Sequence, residues 1–504
     1  MEAESLVQPL DDANRELLSH VRPEDWKNPA GAGVYDLVVI GAGTAGLVSA
    51  AGAAGLGARV ALVERALMGG DCLNVGCVPS KGLLRAARLI GEARKGDALG
   101  VRVTAPEVDF DRVMRRMRRR RADISPNDSA RRFADLGIDV FFGEARFTGP
   151  RGIVVDGRTL RFKRAVIATG ARAVAPPIPG LAETSFLTNE TLFWLTELPR
   201  RLLIIGGGPI GCEMAQAFAR FGSQVTLLDM ASQVLLREDG DAAAIVSQAL
   251  EQDGVTLQLG VRPQEVREEP DGVTVTFDRG GETGQVVGDR LLVAAGRAPN
   301  VETLDLGAAG VAFGRRGVEV DDRLRTSNRR IYAAGDVCSA FKFTHAADAM
   351  ARVVIQNALF HGRKRASALV IPWCTYTDPE IAHVGLYERE ARERGRRVDT
   401  LTVQLADVDR AILDEETDGF VRVHHDRGRL LGCTIVAPHA GEMIGEAAYV
   451  VTQGGGLTDL SATIHPYPTQ GEALKKAGDA YRRTLLTPTV RKWFTRYFAW
   501  TRSW

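Results

Sequence analysis

Tyr35-Asp36-Leu37-Val38-Val39-Ile40-Gly41-Ala42-Gly43-Thr44-Ala45-Gly46 joins a short apolar run to a glycine-rich turn. The apolar run that ends in Leu37-Val38-Val39-Ile40 is that of a parallel strand buried on both faces. Gly41, Gly43 and Gly46 stand in the spacing G-x-G-x-x-G, with Thr44 and Ala45 at the helix start, and small residues at helical spacing follow. A second apolar strand, Ala58 to Val63, ends at the acid Glu64, about 20 residues beyond the glycines, as a βαβ dinucleotide fold requires. The glycines let a pyrophosphate approach the helix N-terminus, and Glu64 is placed to accept a hydrogen bond from a ribose hydroxyl.

The pattern recurs. Arg201-Leu202-Leu203-Ile204-Ile205 runs into Gly206-Gly207-Gly208-Pro209-Ile210-Gly211, and the next strand, from Ser223 to Leu228, ends at Asp229. Two such modules imply two nucleotides, one held permanently and one exchanged. An acid at the second strand end accepts from a free 2′-hydroxyl and repels a 2′-phosphate, which favours NADH; Arg237 nearby leaves NADPH open.

Between the modules' defining motifs lies Met68-Gly69-Gly70-Asp71-Cys72-Leu73-Asn74-Val75-Gly76-Cys77-Val78-Pro79-Ser80-Lys81, which leads into an apolar helical pattern. A helix beginning near Cys77 favours a thiolate there through its free N–H groups and dipole, and Lys81 adds a positive charge one turn on.

Composition narrows the class. With 64 basic and 63 acidic residues, no global field favours nucleic acid or membrane. Six cysteines in 504 residues do not make a disulfide scaffold, and the acidic start Met1-Glu2-Ala3-Glu4 does not read as a signal peptide; both point to the cytoplasm. No apolar run reaches the roughly 18 residues of a membrane span.

The run from Gly69 to Lys81 closely resembles the redox-active disulfide segment of the flavoprotein disulfide reductases, among them dihydrolipoamide dehydrogenase, glutathione reductase and mercuric reductase. The resemblance implies an α/β fold of two Rossmann-type dinucleotide-binding domains, glutathione reductase-like, with an α+β dimerisation domain. It divides the chain into an arm (1–33), an FAD-binding domain (34–190 and 326–365), an NAD(P)-binding domain (191–325), a dimerisation domain (366–485) and an amphipathic tail (486–504). It makes Cys72 and Cys77 a redox-active disulfide, with Cys77 on the flavin side and Cys72 as the outward interchange thiol. It pairs Lys81 with Glu213 beside the flavin, and it places Gly70, Ala145, the turn Thr169-Gly170 and the strand-end Asp336 around FAD. The helix start at Thr344 and His345 faces the flavin edge by its backbone, and Gly296-Arg297 lies against the pyridine nucleotide. It further implies a homodimer with shared active sites, electrons passing from NAD(P)H through FAD and the sulfur pair to a small-molecule or metal-ion acceptor.

Three features depart from that pattern. Relatives acting on dithiols carry His-x-His-Pro, whereas this chain has His465-Pro466-Tyr467-Pro468, with Tyr467 at the base position and Glu472 retained. A phenol of ordinary pKa near ~10 is a poor base at neutral pH. Mercuric reductases also carry tyrosine there, so the reading is mercuric reductase-like, with a dihydrolipoamide dehydrogenase using another base as the alternative. Yet the chain lacks the C-terminal vicinal cysteines and the N-terminal C-x-x-C domain of mercuric reductases, and no resident metal is expected. Asp71 replaces a common threonine and is expected to raise the Cys72 thiol pKa.

Two further stretches are charged. Arg112, Arg115, Arg116, Arg118, Arg119, Arg120 and Arg121 read as a solvated helix face, or else a patch for an acidic partner. The tail places Val490, Trp493, Phe494, Tyr497, Thr501 and Trp504 on one side and Arg491, Lys492, Arg496 and Arg502 elsewhere. Packing onto the protein's own surface is the reading for this tail; the alternative is a membrane-surface foot on a flavoprotein redox sensor with little turnover.

Overall fold

The computed structural model describes residues 3–31, 33–104 and 106–502; Met1 and Glu2 of the acidic start and Trp504 of the tail lie outside them. The described chain forms two compact units, one of the residues up to 236 with Leu250–Leu369, the other of Arg237–Ala249 with Val370 onward.

In the first unit, Asp139–Phe142, Val60–Glu64, Val34–Ile40, Arg158–Ile167 and Ile331–Ala333 lie side by side in that order, all parallel. Leu37, Val38, Val39, Ala61 and Leu62 are fully buried, as strands covered on both faces must be. The first half of Arg158–Ile167 also closes an antiparallel meander with Gly152–Val155 and Arg146–Gly149. Asp139–Phe142 and Arg146–Gly149 are thus separate strands. Gly143 has φ 149°, which a side chain would strain, and the chain turns there with Ala145 buried beyond it.

The same plan is repeated downstream. Val255–Leu259, Gln224–Asp229, Arg201–Ile205 and Arg290–Val293 form a parallel sheet, and Arg262–Glu269, Gly272–Arg279 and Glu282–Gly288 a meander. Short strands Ala171–Ala173 and Arg297–Pro299 pair antiparallel and tie the two modules.

The second unit is built on a five-stranded antiparallel sheet, in the order Trp373–Thr375, Glu380–Gly385, Arg429–Ala437, Phe420–Asp426, Asp399–Gln404. Helices Ala440–Gln453 and Glu472–Thr484 supply Ala447, Leu474 and Ala477 to a core with Val384, Val421, Val423 and Ile435. This is the α+β domain expected after the nucleotide modules.

Three expectations are corrected. The lead-in arm is part of the core: helix Asp12–Val21 is capped by Asp11, whose carboxylate accepts the Asn14 N–H at 2.9 Å, and it buries Leu17, Leu18 and Val21. The arginine-rich helix, Phe110–Ile124, is not solvated throughout. Arg118 and Arg121 are fully buried, and a buried guanidinium must find acceptors. Arg121 donates to the Asn74 carbonyl at 2.5 Å and to Asn14 Oδ1 at 2.6 Å, and Arg118 donates to Asp11 Oδ2 at 2.5 Å. The arm is thereby fastened to the end of the short helix Gly70–Asn74 that carries Cys72. The other five arginines stay outside, where Arg115, Arg119 and Arg120 pair with acids of this chain. Finally, the tail, expected to pack on the chain's own surface, forms helix Pro488–Thr501 with no residue buried.

Candidate active site

The two glycine turns are built alike, atom for atom. A Cβ on Gly46 would fall on the Gly41 carbonyl oxygen, and one on Gly211 would fall on that of Gly206, so only glycine permits each helix to start this close to its strand. Gly41 and Gly206, at φ 101° and 115°, back onto the carbonyls of Ala168 and Ala294. The strand-end acids have a task that sequence reading missed. Glu64 accepts the N–H groups of Ala42 and Ala66, both at 2.7 Å, and Asp229 accepts those of Gly207 at 2.5 Å and Ala231 at 2.7 Å. Each carboxylate thus fixes its glycine turn while retaining lone pairs for a ribose hydroxyl. Burial pushes the Glu64 carboxyl up, against the pull of those two backbone bonds.

Helix Thr44–Gly55 follows the first turn, and Pro209–Phe221, with Pro209 and Ile210 in its first turn, follows Gly208 of the second. Gly43 and Gly70 face each other so closely that a Cβ on Gly70 would lie 2.7 Å from the Gly43 Cα. The cysteine segment is thereby laid over the first nucleotide turn.

Cys77 is the first residue of helix Cys77–Arg94, as the thiolate reading requires, and Cys72 sits in the short helix Gly70–Asn74. The two sulfurs are not bridged, and Cys72 donates a hydrogen bond to Cys77. That bond from Cys72 holds Cys77 down at about 6, helped by the Thr344 hydroxyl and the Lys81 charge, while burial and Glu213 oppose. Cys72 is pushed up, first by the same bond and by burial. Of the two, Cys77 is the sulfur whose thiolate is favoured and Cys72 the one whose thiol is. Cys77 is the more exposed of the two, and its Sγ lies 3.4 Å from Thr344 Oγ1 at the start of helix Thr344–Leu359.

Lys81 and Glu213 form the expected ion pair, Nζ to Oε2 at 2.9 Å and to Oε1 at 3.2 Å, across 132 residues of chain. Glu213 is buried, so this lysine is its charge balance. The expectation for Asp71 is corrected: its carboxylate is bound by Arg297, and the acid that helps raise Cys72 is Asp128. Arg297 has further partners on that side. Besides Asp71 it donates to the Ala171 carbonyl at 2.5 Å and lies 3.9 Å from Asp336, all partners on the first-module side. Arg237, the cation that left NADPH open, lies in the second unit with its guanidinium 5.2 Å from the Trp373 ring centroid.

The remaining first-module residues converge. Thr169 Oγ1 donates to the Asn300 carbonyl at 2.7 Å, and the Asn300 N–H donates to Gly170 at 3.0 Å, so the turn after each module's sheet braces the other. A Cβ on Gly335 would touch Ala45 and Ala347, which sets Asp336 beside the first turns of two helices. His345 stacks on Phe343, its ring plane tilted by 7°. Gly296 has φ 148° and nothing within reach of an added Cβ. The helix starts at Thr44, Cys77 and Thr344, with the glycine cradle and Asp336, fit a flavin dinucleotide, and the second cradle with Asp229 fits a pyridine nucleotide.

In the second unit, Tyr467 is exposed and donates to Asp409 Oδ2 at 3.0 Å; that bond pushes the phenol further up. Glu472 is the first residue of its helix, and its Oε2 is buried without a partner among the described residues. His465 sits between Glu446 Oε2 at 2.9 Å and the Thr463 carbonyl at 3.1 Å. Asp409 and Asp128 carried no signal in the sequence.

Two dinucleotide cradles serving a thiol pair define a nucleotide-linked thiol–disulfide redox protein. The pyridine nucleotide-disulphide oxidoreductase family matches residues 35–351, and its dimerisation domain matches residues 371–478. Mercuric reductase from Bacillus cereus is 36% identical over 473 residues, covering 93% of this chain and 75% of the relative. Dihydrolipoyl dehydrogenase from Thermus scotoductus is 35% identical over 466 residues, covering 90% and 98%. The HOCl-induced flavoprotein disulfide reductase RclA from Escherichia coli has a TM-score of 0.79 at 32% identity, covering 88% of this chain and 99% of that one. LpdA from Mycobacterium tuberculosis has a TM-score of 0.80 at 27% identity, covering 89% and 99%. The chain belongs to the pyridine nucleotide-disulphide oxidoreductase family, enzymes that use FAD and NAD(P)H, and it carries that family's dimerisation domain.

Proposed function

We propose that this chain is an NAD(P)H-dependent reductase of thiophilic metal ions, mercuric reductase-like, with the Cys72–Cys77 pair as the point of electron delivery. FAD, when bound, supplies the two-electron relay between the nicotinamide and the sulfur pair. In balance, one NAD(P)H becomes NAD(P)⁺ with release of one proton, and a divalent ion takes two electrons. Opening the Cys72–Cys77 bond takes two electrons and one proton; Cys77 stays a thiolate and Cys72 carries the proton to be lost when the metal binds. Glu64 and Asp229 hold the two glycine turns to which the nucleotides bind, and Lys81, balanced by Glu213, holds the Cys77 charge. NADH is the favoured donor, because Asp229 faces the second turn and Arg237 is stacked on Trp373.

The observation that carries the acceptor class is Tyr467. A dithiol substrate must lose protons to a base, and a phenol tied to Asp409 is none at neutral pH. A soft metal ion needs only thiolates. The mercuric reductases among the relatives and the solved Cu(II) complex of RclA support this choice. Tyr467→His is expected to raise dihydrolipoamide oxidation at pH 7 about a hundredfold, the usual scale of general base catalysis, and to leave Hg²⁺ reduction unchanged. Equal dihydrolipoamide rates in the two proteins would refute the reading.

One contact favours a second reading. His465 and Glu446 form an imidazole–carboxylate couple two residues from Tyr467, which gives a dihydrolipoamide dehydrogenase a displaced base. His465→Gln would then abolish dihydrolipoamide turnover in a protein that already supports it.

A further inference from the structure

The last helix, Pro488–Thr501, has no buried residue, and Trp493, Phe494, Tyr497 and Phe498 are each about half exposed or more. Its residues divide cleanly around the axis. At 100° per residue, Val490, Trp493, Phe494, Tyr497, Phe498 and Trp500 fall within roughly 160° of arc, and Arg491, Lys492, Arg496 and Arg502 fall on the opposite side. Thr487 caps the helix by accepting the Val490 N–H, so the helix is locally specified without a covering surface.

The charge of the segment is one-sided. Asp479 is the last acidic residue of the chain; after it come Arg482, Arg483, Arg491, Lys492, Arg496 and Arg502 with no acid among them. Six of the 64 basic residues of a chain whose total is net +1 thus fall in this acid-free stretch. Three of its six tryptophans, Trp493, Trp500 and Trp504, fall in the last twelve residues. The matched dimerisation domain ends at residue 478, before this segment begins.

We infer that Pro488–Thr501 is a foot for an anionic phospholipid surface. It lies in the plane of the interface with its aromatic face at the headgroup boundary and its cations toward lipid phosphates. The same segment of a second copy offers no charge complement, since residues 480–504 hold six cations and no acid. Aromatic rings with a polar edge, such as Trp493 and Tyr497, suit a boundary between water and lipid. The helix is short and carries three cations, so it lies on a bilayer and does not cross one; among the described residues no helix is long and apolar enough to cross.

Flotation of the full-length flavin-loaded protein with vesicles tests this. It should rise with vesicles of equal phosphatidylglycerol and phosphatidylcholine and remain below with phosphatidylcholine alone. Arg491→Gln, Lys492→Gln and Arg496→Gln together should weaken binding about a hundredfold, taking each cation near the surface at its usual worth. Trp493→Ser with Phe494→Ser should abolish flotation, with NADH-dependent reduction of Hg²⁺ and the dimer mass in sedimentation unchanged. Failure of the parent protein to float with anionic vesicles overturns the inference, as does equal flotation of the variants. Dissociation of the dimer by Trp493→Ser with Phe494→Ser also overturns it, since a second copy would then be what covers the face.

Discussion

Cys77→Ser is expected to lower NAD(P)H-dependent reduction of every acceptor by on the order of a thousandfold or more, with FAD and nucleotide binding intact. The expectation follows from what is lost. Serine can form neither the sulfur–sulfur bond nor a thiolate near neutral pH, and Cys77 is the sulfur that carries the charge, at about 6. Cys72→Ser should be as inactive in turnover but distinguishable, since a serine hydroxyl at 72 still donates to Cys77. Its remaining thiolate should alkylate at neutral pH, whereas Cys77→Ser should leave only the sluggish thiol of Cys72, which its surroundings hold up. Turnover above a tenth of the parent rate in either variant would contradict the assignment.

Lys81→Met is expected to cost about 3 kcal/mol of stability and to raise the Cys77 pKa. Glu213 is buried and Lys81 is a counter-charge to it at 2.9 Å, so the variant takes that charge from a buried carboxylate. The figure sits at the low end of the range for a broken buried pair because the lysine itself is partly exposed. For Cys77 the sign runs upward: Lys81 favours the thiolate and Glu213 opposes it, so the variant keeps only the opposing charge. Alkylation of reduced Cys77, half-maximal near pH 6 in the parent, should move to higher pH and fall at pH 7. Glu213→Gln added to Lys81→Met should recover most of the stability and part of the thiolate. Urea unfolding and the pH profile of alkylation read the two effects separately; an unmoved profile would exclude Lys81 from the thiolate's support.

What could be read ahead from the sequence was local or repeated. The glycine spacings, the strand-end acids and the cysteine run each specify a turn or helix start within a few residues, and the structure has them at Gly41–Gly46, Gly206–Gly211 and Cys77. The Lys81–Glu213 pair was the one distant contact available, through family resemblance. Arg297 on Asp71 spans 226 residues, and no local pattern links them. The buried arginines did leave a trace. Met114, Met117, Arg118 and Arg121 recur at i, i+3, i+4 and i+7, so the stripe marked by the methionines runs on through both guanidiniums. Charge composition hid a periodicity that position carried. The arm was missed for the same reason, its Leu17, Leu18 and Val21 lying in a polar stretch.

The central claim is that electrons entering from a nicotinamide come to rest on the two sulfurs at 72 and 77. Anaerobic addition of one equivalent of NADH to the oxidised, FAD-loaded protein, followed by counting of reagent-accessible thiols, tests it directly. Two new thiols per chain, mapped to Cys72 and Cys77, together with a long-wavelength thiolate band that fades as the pH falls through about 6, is the result expected. Bleaching of the flavin with no new thiol would contradict the account.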